Sequence, residues 1–126
     1  MRLMLAVFAA AFVFAGPGFA VGGPEGRWIA AEEDAIVEIA PCGEALCGTV
    51  VEIISDPDGD AGSATKILID FRTSGSGTWS GTAYSRKKDK SYDCNIEMLD
   101  ANRLKLRPYV GIPLFGETLI WERAGE

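Results

Sequence analysis

Gly26-Arg27-Trp28, early in the chain, is answered near its end by Trp121-Glu122-Arg123. A closed antiparallel barrel pairs its first strand with its last, which would set these two tripeptides side by side. An arginine there can lie flat over an indole face as a cation–π lid. The segments between the two landmarks support that closure. Short runs rich in Val, Ile, Thr and aromatic residues alternate with turn residues, and none carries a helical period. The spacing predicts strands over Gly26–Glu32, Ala35–Pro41, Cys47–Ile54, Thr65–Arg72, Thr78–Ser85, Ser91–Leu99, Arg103–Val110 and Phe115–Arg123. Their connections are short and carry Gly, Asp, Asn or Pro, the residues of hairpin turns. The reading is an all-β fold, a single antiparallel up-and-down β-barrel of about eight strands.

Alternation within the runs predicts an inward face. Val37 and Ile39, Val51 and Ile53, Ile67, Ile69 and Phe71, Cys94, Ile96 and Met98, and Leu104 and Leu106 fall on it. Glu38, Glu52, Asp70, Asp93, Glu97, Lys105 and Arg107 fall on the other. In an up-and-down order, odd strands run one way and even strands the other. Trp28 and Trp79 begin odd strands and Trp121 lies late in the eighth, so all three tryptophans are expected at one end, with Arg123. Tyr84, Tyr92, Tyr109 and Phe115 are expected at the opposite end. The Trp end reads as a packed base, with Trp28, Trp79, Trp121 and Arg123 as structural residues. The Tyr end reads as the mouth, with Tyr84, Tyr92, Tyr109 and Phe115 as candidate ligand-binding residues.

Ahead of the barrel, residues 1–20 have the make-up of a secretory signal. Arg2 supplies the positive start, Leu3 to Ala15 the apolar run, Gly16-Pro17-Gly18 the breaker and Gly18-Phe19-Ala20 a small-x-small cleavage site. The apolar run is too short to span a bilayer, which takes about 20 residues. The expectation is export to the periplasm or beyond, cleavage near Ala20, and a barrel domain over 21–126.

Three cysteines allow three single-disulfide pairings. Cys42 and Cys47 flank Gly43-Glu44-Ala45-Leu46, a spacing that a disulfide-closed hairpin can satisfy in an oxidising compartment. Cys94 stands in an alternating run and reads as a small buried hydrophobe, with an intermolecular disulfide as the alternative.

The chain's 12 basic and 18 acidic residues leave a net charge of −6, which argues against nucleic acid and anionic membrane surfaces and leaves a basic protein partner open. The absence of histidine removes the usual general base and the commonest metal ligand. No serine sits in a nucleophile elbow, and Glu32-Glu33 reads as a charged turn rather than an acid–base pair. Asp56, Asp58 and Asp60 alternate as calcium ligands would, without an EF-hand's glycine, glutamate or helices, and read as a solvated turn. Arg86-Lys87-Lys88-Asp89-Lys90 is a basic turn at the mouth end, either a soluble hairpin tip or a rim attracting an anionic head. No metal, cofactor or enzymatic activity is expected.

In order along the mature chain, Gly26-Arg27-Trp28, Cys42 to Val50, Trp79 to Tyr84, Ser91-Tyr92, Arg103 to Arg107, Tyr109-Val110-Gly111, Phe115-Gly116 and Trp121-Glu122-Arg123 resemble an uncharacterised family of small exported bacterial proteins, domain of unknown function 2147. The resemblance implies a lipocalin-like barrel and supplies no activity. The chain departs from the family pattern at the compressed Asp56–Gly62 loop, at Ser85-Arg86-Lys87-Lys88 and at Pro108. Together these readings predict a barrel that binds a small apolar or amphipathic molecule, or, with a filled interior, an envelope protein–protein interaction module.

Overall fold

Eight strands in unbroken sequence order close on themselves in the computed structural model, which describes residues 23–59 and 65–125. They are β1 Gly26–Ala30, β2 Ala35–Cys42, β3 Ala45–Ile53, β4 Lys66–Gly75, β5 Thr78–Ser85, β6 Lys90–Asp100, β7 Arg103–Tyr109 and β8 Leu119–Arg123. Every pair is antiparallel, and β8 pairs back to β1 through Trp28↔Arg123 and Ile29↔Glu122. The fold is the expected all-β up-and-down barrel. The signal-like segment and Asp60 to Gly62 lie outside the described residues. No helix among the described residues is long and apolar enough to cross a membrane.

The turns show why the chain reverses where it does. Gly43 and Gly77 take φ of 71° and 72° at the β2–β3 and β4–β5 hairpins. Asp34 and Asp89 enter the same left-handed region at φ 54° and 51°. Each aspartate is held there by its carboxylate: Asp34 accepts from Ser55 N (3.1 Å) and Ser55 Oγ, and Asp89 accepts from the Tyr84 hydroxyl (2.6 Å). Cys42 and Cys47 form the disulfide that closes the β2–β3 hairpin.

Several element boundaries differ from the sequence expectation. The strand predicted to reach Glu32 ends at Ala30, because Ala31–Glu33 coil into a 3₁₀ turn. β3 begins at Ala45, so the hairpin is tighter than Gly43–Leu46. Phe115 belongs to a 3₁₀ turn, Pro113–Phe115, and β8 starts only at Leu119. Proline at the first position of that turn has no N–H for a ladder and cannot continue a paired strand.

Inside, alternation holds for Val37, Ile39, Ile67, Phe71, Cys94, Ile96, Leu104 and Leu106, all buried. It fails at two expected core residues. Val50, not Val51, is fully buried on β3, and Leu68, not Ile69, is buried on β4, where Ile69 is 36% exposed. The cause is in the backbone. The β2–β3 ladder slips between Ile36 and Val37, which pair with Glu52 and Val50 and leave Val51 as the extra residue, and the β4–β5 ladder slips between Ile69 and Arg72, where Asp70 has φ 58°. Each bulge adds a residue to one strand and swaps the faces beyond it. Gly81 makes this tolerable, since a Cβ there would stand 2.7 Å from the Phe71 ring and 2.8 Å from the Ile69 carbonyl.

The base is dense. Between Pro24, Ile39, Leu46, Phe71 and Trp79 only about 10 Å³ of free space remains, at the lower limit for a single water. Trp28 is fully buried and donates its indole N–H to the Pro24 carbonyl at 2.8 Å. The Arg123 guanidinium lies 4.3 Å from the Trp28 ring centroid. It also donates through Nε to the Ala101 carbonyl (2.8 Å) and through Nη1 to the Glu25 carbonyl (2.9 Å). Gly26, at φ 124°, gives that guanidinium its room, because a Cβ would lie 2.6 Å from Nη1.

Candidate functional site

Strand direction decides what meets at the opposite end. β5 and β7 finish there and β6 starts there, so Tyr84, Tyr109 and Tyr92 converge, as the up-and-down order predicts. They line a cavity of about 330 Å³ open at the mouth. Its depth is apolar: Ile67, Leu68, Cys94, Leu106 and Trp121 are buried and face it. Phe115 borders it from outside, 74% exposed on its 3₁₀ turn. Lys87 and Lys88, from the β5–β6 turn, complete the rim. A volume near the lower end of the ligand-pocket range, about 300 Å³, suits a small molecule.

Trp121 is a correction to the sequence reading, which put it in the base with Trp28 and Trp79. Its backbone lies two residues before Arg123, but its ring points up the barrel. The indole N–H donates to Glu32 Oε2 at 2.8 Å, on the 3₁₀ turn at the mouth end. Trp121 is therefore the cavity floor, and the base is made by Trp28, Trp79 and Arg123. The direction in which an inward ring leans along a short strand left no trace in the sequence.

The two adjacent glutamates split in role because the 3₁₀ turn points them apart. Although Glu32 is exposed as a residue, partial desolvation where its carboxyl meets the Trp121 indole pushes it above its ordinary pKa, against the opposing effect of the Trp121 hydrogen bond, with neighbouring Glu33 and Glu117 adding to the rise. Glu33, 6% exposed, accepts from Ser85 Oγ (2.8 Å) and from Arg86 N (3.1 Å), and its carbonyl accepts from Arg86 Nη2. Arg86 Nε stands 3.7 Å from Glu33 Oε1. These contacts tie the β5–β6 turn to the β1–β2 turn across the mouth. The contact of Glu32 with Trp121, the burial of Leu68 and the tie between Glu33 and Arg86 were not legible in the sequence, because each depends on a side-chain direction or a bulge.

The rim carries its own order. Tyr84 donates to Asp89 at 2.6 Å, an acceptor that raises the phenol's pKa. The Lys88 and Lys90 ammonium groups stand 6.0 and 5.6 Å from the Tyr92 ring centroid. Burial pushes the Cys94 thiol up to about 12, which makes it a packing group rather than a nucleophile. Among the described residues, no three His, Cys, Asp or Glu side chains gather as metal ligands, and Asp60 of the acidic loop lies outside them.

A closed eight-stranded antiparallel meander with one packed end and one lined, open end defines a lipocalin-like barrel. Among solved structures, a protein from the human pathogen Helicobacter pylori, HP1028, described as belonging to the lipocalin family, has the same fold with a TM-score of 0.67. The two share 14% identity, over 85% of this chain and 86% of that one. No curated protein matches the sequence. The family described as "Uncharacterized protein conserved in bacteria (DUF2147)" matches over residues 26–123, and the chain belongs to it.

Proposed function

We propose that this protein is a non-enzymatic, periplasmic binder of a small apolar or amphipathic molecule, held in the cavity under Tyr84, Tyr92 and Tyr109. The observation that carries the reading is the cavity itself: about 330 Å³, apolar in its depth and polar at its rim. The Cys42–Cys47 disulfide supports an oxidising compartment, and the signal-like residues 1–20 support export. A binding role rather than catalysis fits the site's groups. Glu33 is committed to Ser85 and Arg86, Glu32 is bonded to the Trp121 indole, and Cys94 is a protonated thiol.

Native mass spectrometry of protein purified from its own periplasm should find a stoichiometric small molecule that is released on denaturation. Ala83→Phe, which places a ring in the cavity wall, should lose it. Protein that carries no molecule and captures none from a lipid and metabolite extract would overturn the reading.

A second reading, docking of a protein partner, draws support from the β7–β8 connection. Val110, Ile112, Leu114 and Phe115 there are 61%, 50%, 74% and 74% exposed, more apolar surface than a short loop usually shows. The open cavity counts against the filled interior that this reading expects. Crosslinking from position 114 in intact cells should recover a reproducible partner if it holds.

A further inference from the structure

The polarity of the cavity runs along one axis, and the charges at its mouth are not equivalent. Three of the mouth acids are engaged, while Glu117, also on the lining, has no side-chain hydrogen bond or ion pair among the described residues. Glu33 takes Ser85 and Arg86, Glu32 takes the Trp121 indole, and Asp89 takes the Tyr84 hydroxyl. Arg86 is engaged in turn with Glu33. Lys87 and Lys88 line the cavity, are exposed, and have no carboxylate within ion-pair distance among the described residues. Lys90 joins Lys88 beside Tyr92, so the cationic side of the mouth is the β5–β6 side. The acidic side of the mouth is opposite, on the β1–β2 turn and just before β8, where Glu32 and Glu117 border the cavity.

This inference rests on the cavity being the binding site. We infer that its ligand is a single-chain amphiphile with one anionic head, a carboxylate or a phosphate monoester, anchored by Lys87 and Lys88 with its chain directed down onto Trp121. An anion placed in the depth would meet only Ile67, Leu68, Cys94, Leu106 and Trp121, with no cation to offset its desolvation, so the lysines at the rim fix which end points out. The buried depth then accepts only the chain. The cavity is near the lower end of the ligand-pocket range, about 300 Å³, so a chain of medium length suits it. Two exposed lysine–anion contacts, each weak, give the anionic head roughly a two- to thirtyfold advantage over a neutral head, and one that salt diminishes.

The test uses four probes of one chain length, decanoate, decyl phosphate, decanol and decylamine, titrated by calorimetry into the wild-type protein, Lys87→Gln/Lys88→Gln and Ala83→Phe. Decanoate and decyl phosphate should bind about two- to thirtyfold tighter than decanol, and decylamine weakest. The lysine double variant should erase the advantage while leaving decanol affinity unchanged, and Ala83→Phe should weaken all four. If all four bind the wild type equally, or decylamine binds best, the head-group inference is overturned while the cavity remains a binding site. If no probe binds, the binding function itself fails. If decanoate outranks decyl phosphate, the head is a carboxylate, and the reverse order makes it a phosphate; either order upholds the anionic head.

Discussion

Replacing Arg123 by lysine tests the closure of the barrel without altering charge. The guanidinium makes three contacts at once: its plane stacks 4.3 Å from the Trp28 centroid, and its edges donate to the Ala101 and Glu25 carbonyls. A lysine ammonium is a point donor and cannot face an indole and bridge two separate carbonyls together. One lost charge-assisted hydrogen bond, about 1.5 kcal/mol or less at this half-exposed position, adds to a weakened cation–π contact of about 0.5–1 kcal/mol. The expected loss is about 2 kcal/mol. For a domain of this size that lowers Tm by roughly 10 °C, measurable by urea and thermal unfolding with the disulfide intact. Arg103→Lys is the internal control, because Arg103 meets Asp100 at 2.8 Å on an open surface and should change stability by less than about 0.5 kcal/mol. Gly26→Ala should cost about as much as Arg123→Lys, because its new Cβ would press on Nη1 and its φ of 124° disfavours any side chain. The Gly26→Ala/Arg123→Ala double variant should fall short of the sum of its singles. Stability of Arg123→Lys within about 0.5 kcal/mol of wild type would refute the idea that this guanidinium clamps the seam.

Two further outcomes are expected from the site's titrating groups. Cys94, with its thiol pushed up to about 12 by burial, should resist iodoacetamide at about pH 8.5 in the folded protein and react promptly in urea; rapid native labelling would contradict its burial. Glu32 has a folded pKa raised above that of an ordinary glutamate, so the folded state binds the proton more tightly than the unfolded state does. Its contribution to stability is greatest in acid and is lost as pH rises through the raised pKa. Glu32→Gln, which keeps an acceptor for the Trp121 indole, should therefore gain stability over wild type at about pH 7, and that gain should shrink as pH approaches 4.5. An equal effect at both pH values in denaturant titrations would show that the carboxylate's charge is not what desolvation opposes.

The closing pair was readable before any coordinates, because a meander forces its end strands together and Trp28 and Arg123 were the residues at those ends. The Tyr cluster was readable for the same reason: strand direction alone carries Tyr84, Tyr92 and Tyr109 to one end. Face assignment was readable only where pairing is regular. At Val50 and Leu68 it inverted, since a bulge is set by backbone hydrogen bonding and leaves no apolar signature of its own. Trp121 and Glu32 escaped for a different reason. Their meeting depends on the lean of an indole and the twist of a 3₁₀ turn, both settled by tertiary packing.

The seam between β1 and β8 also governs the order in which the molecule assembles. Every other pairing joins neighbours in sequence, whereas this one holds only two register pairs and links the far ends of the barrel. Local hairpins form within microseconds, but ring closure has to bring together segments separated by most of the chain, an entropic cost that falls only as the neighbouring pairings curl the sheet. The floor of the cavity, Trp121, rides on β8, one of the two strands that this seam joins. Until the seam closes there is a curled sheet and no enclosed pocket. A bound molecule touching Trp121 would then act as a latch, holding shut the joint whose closing created its site.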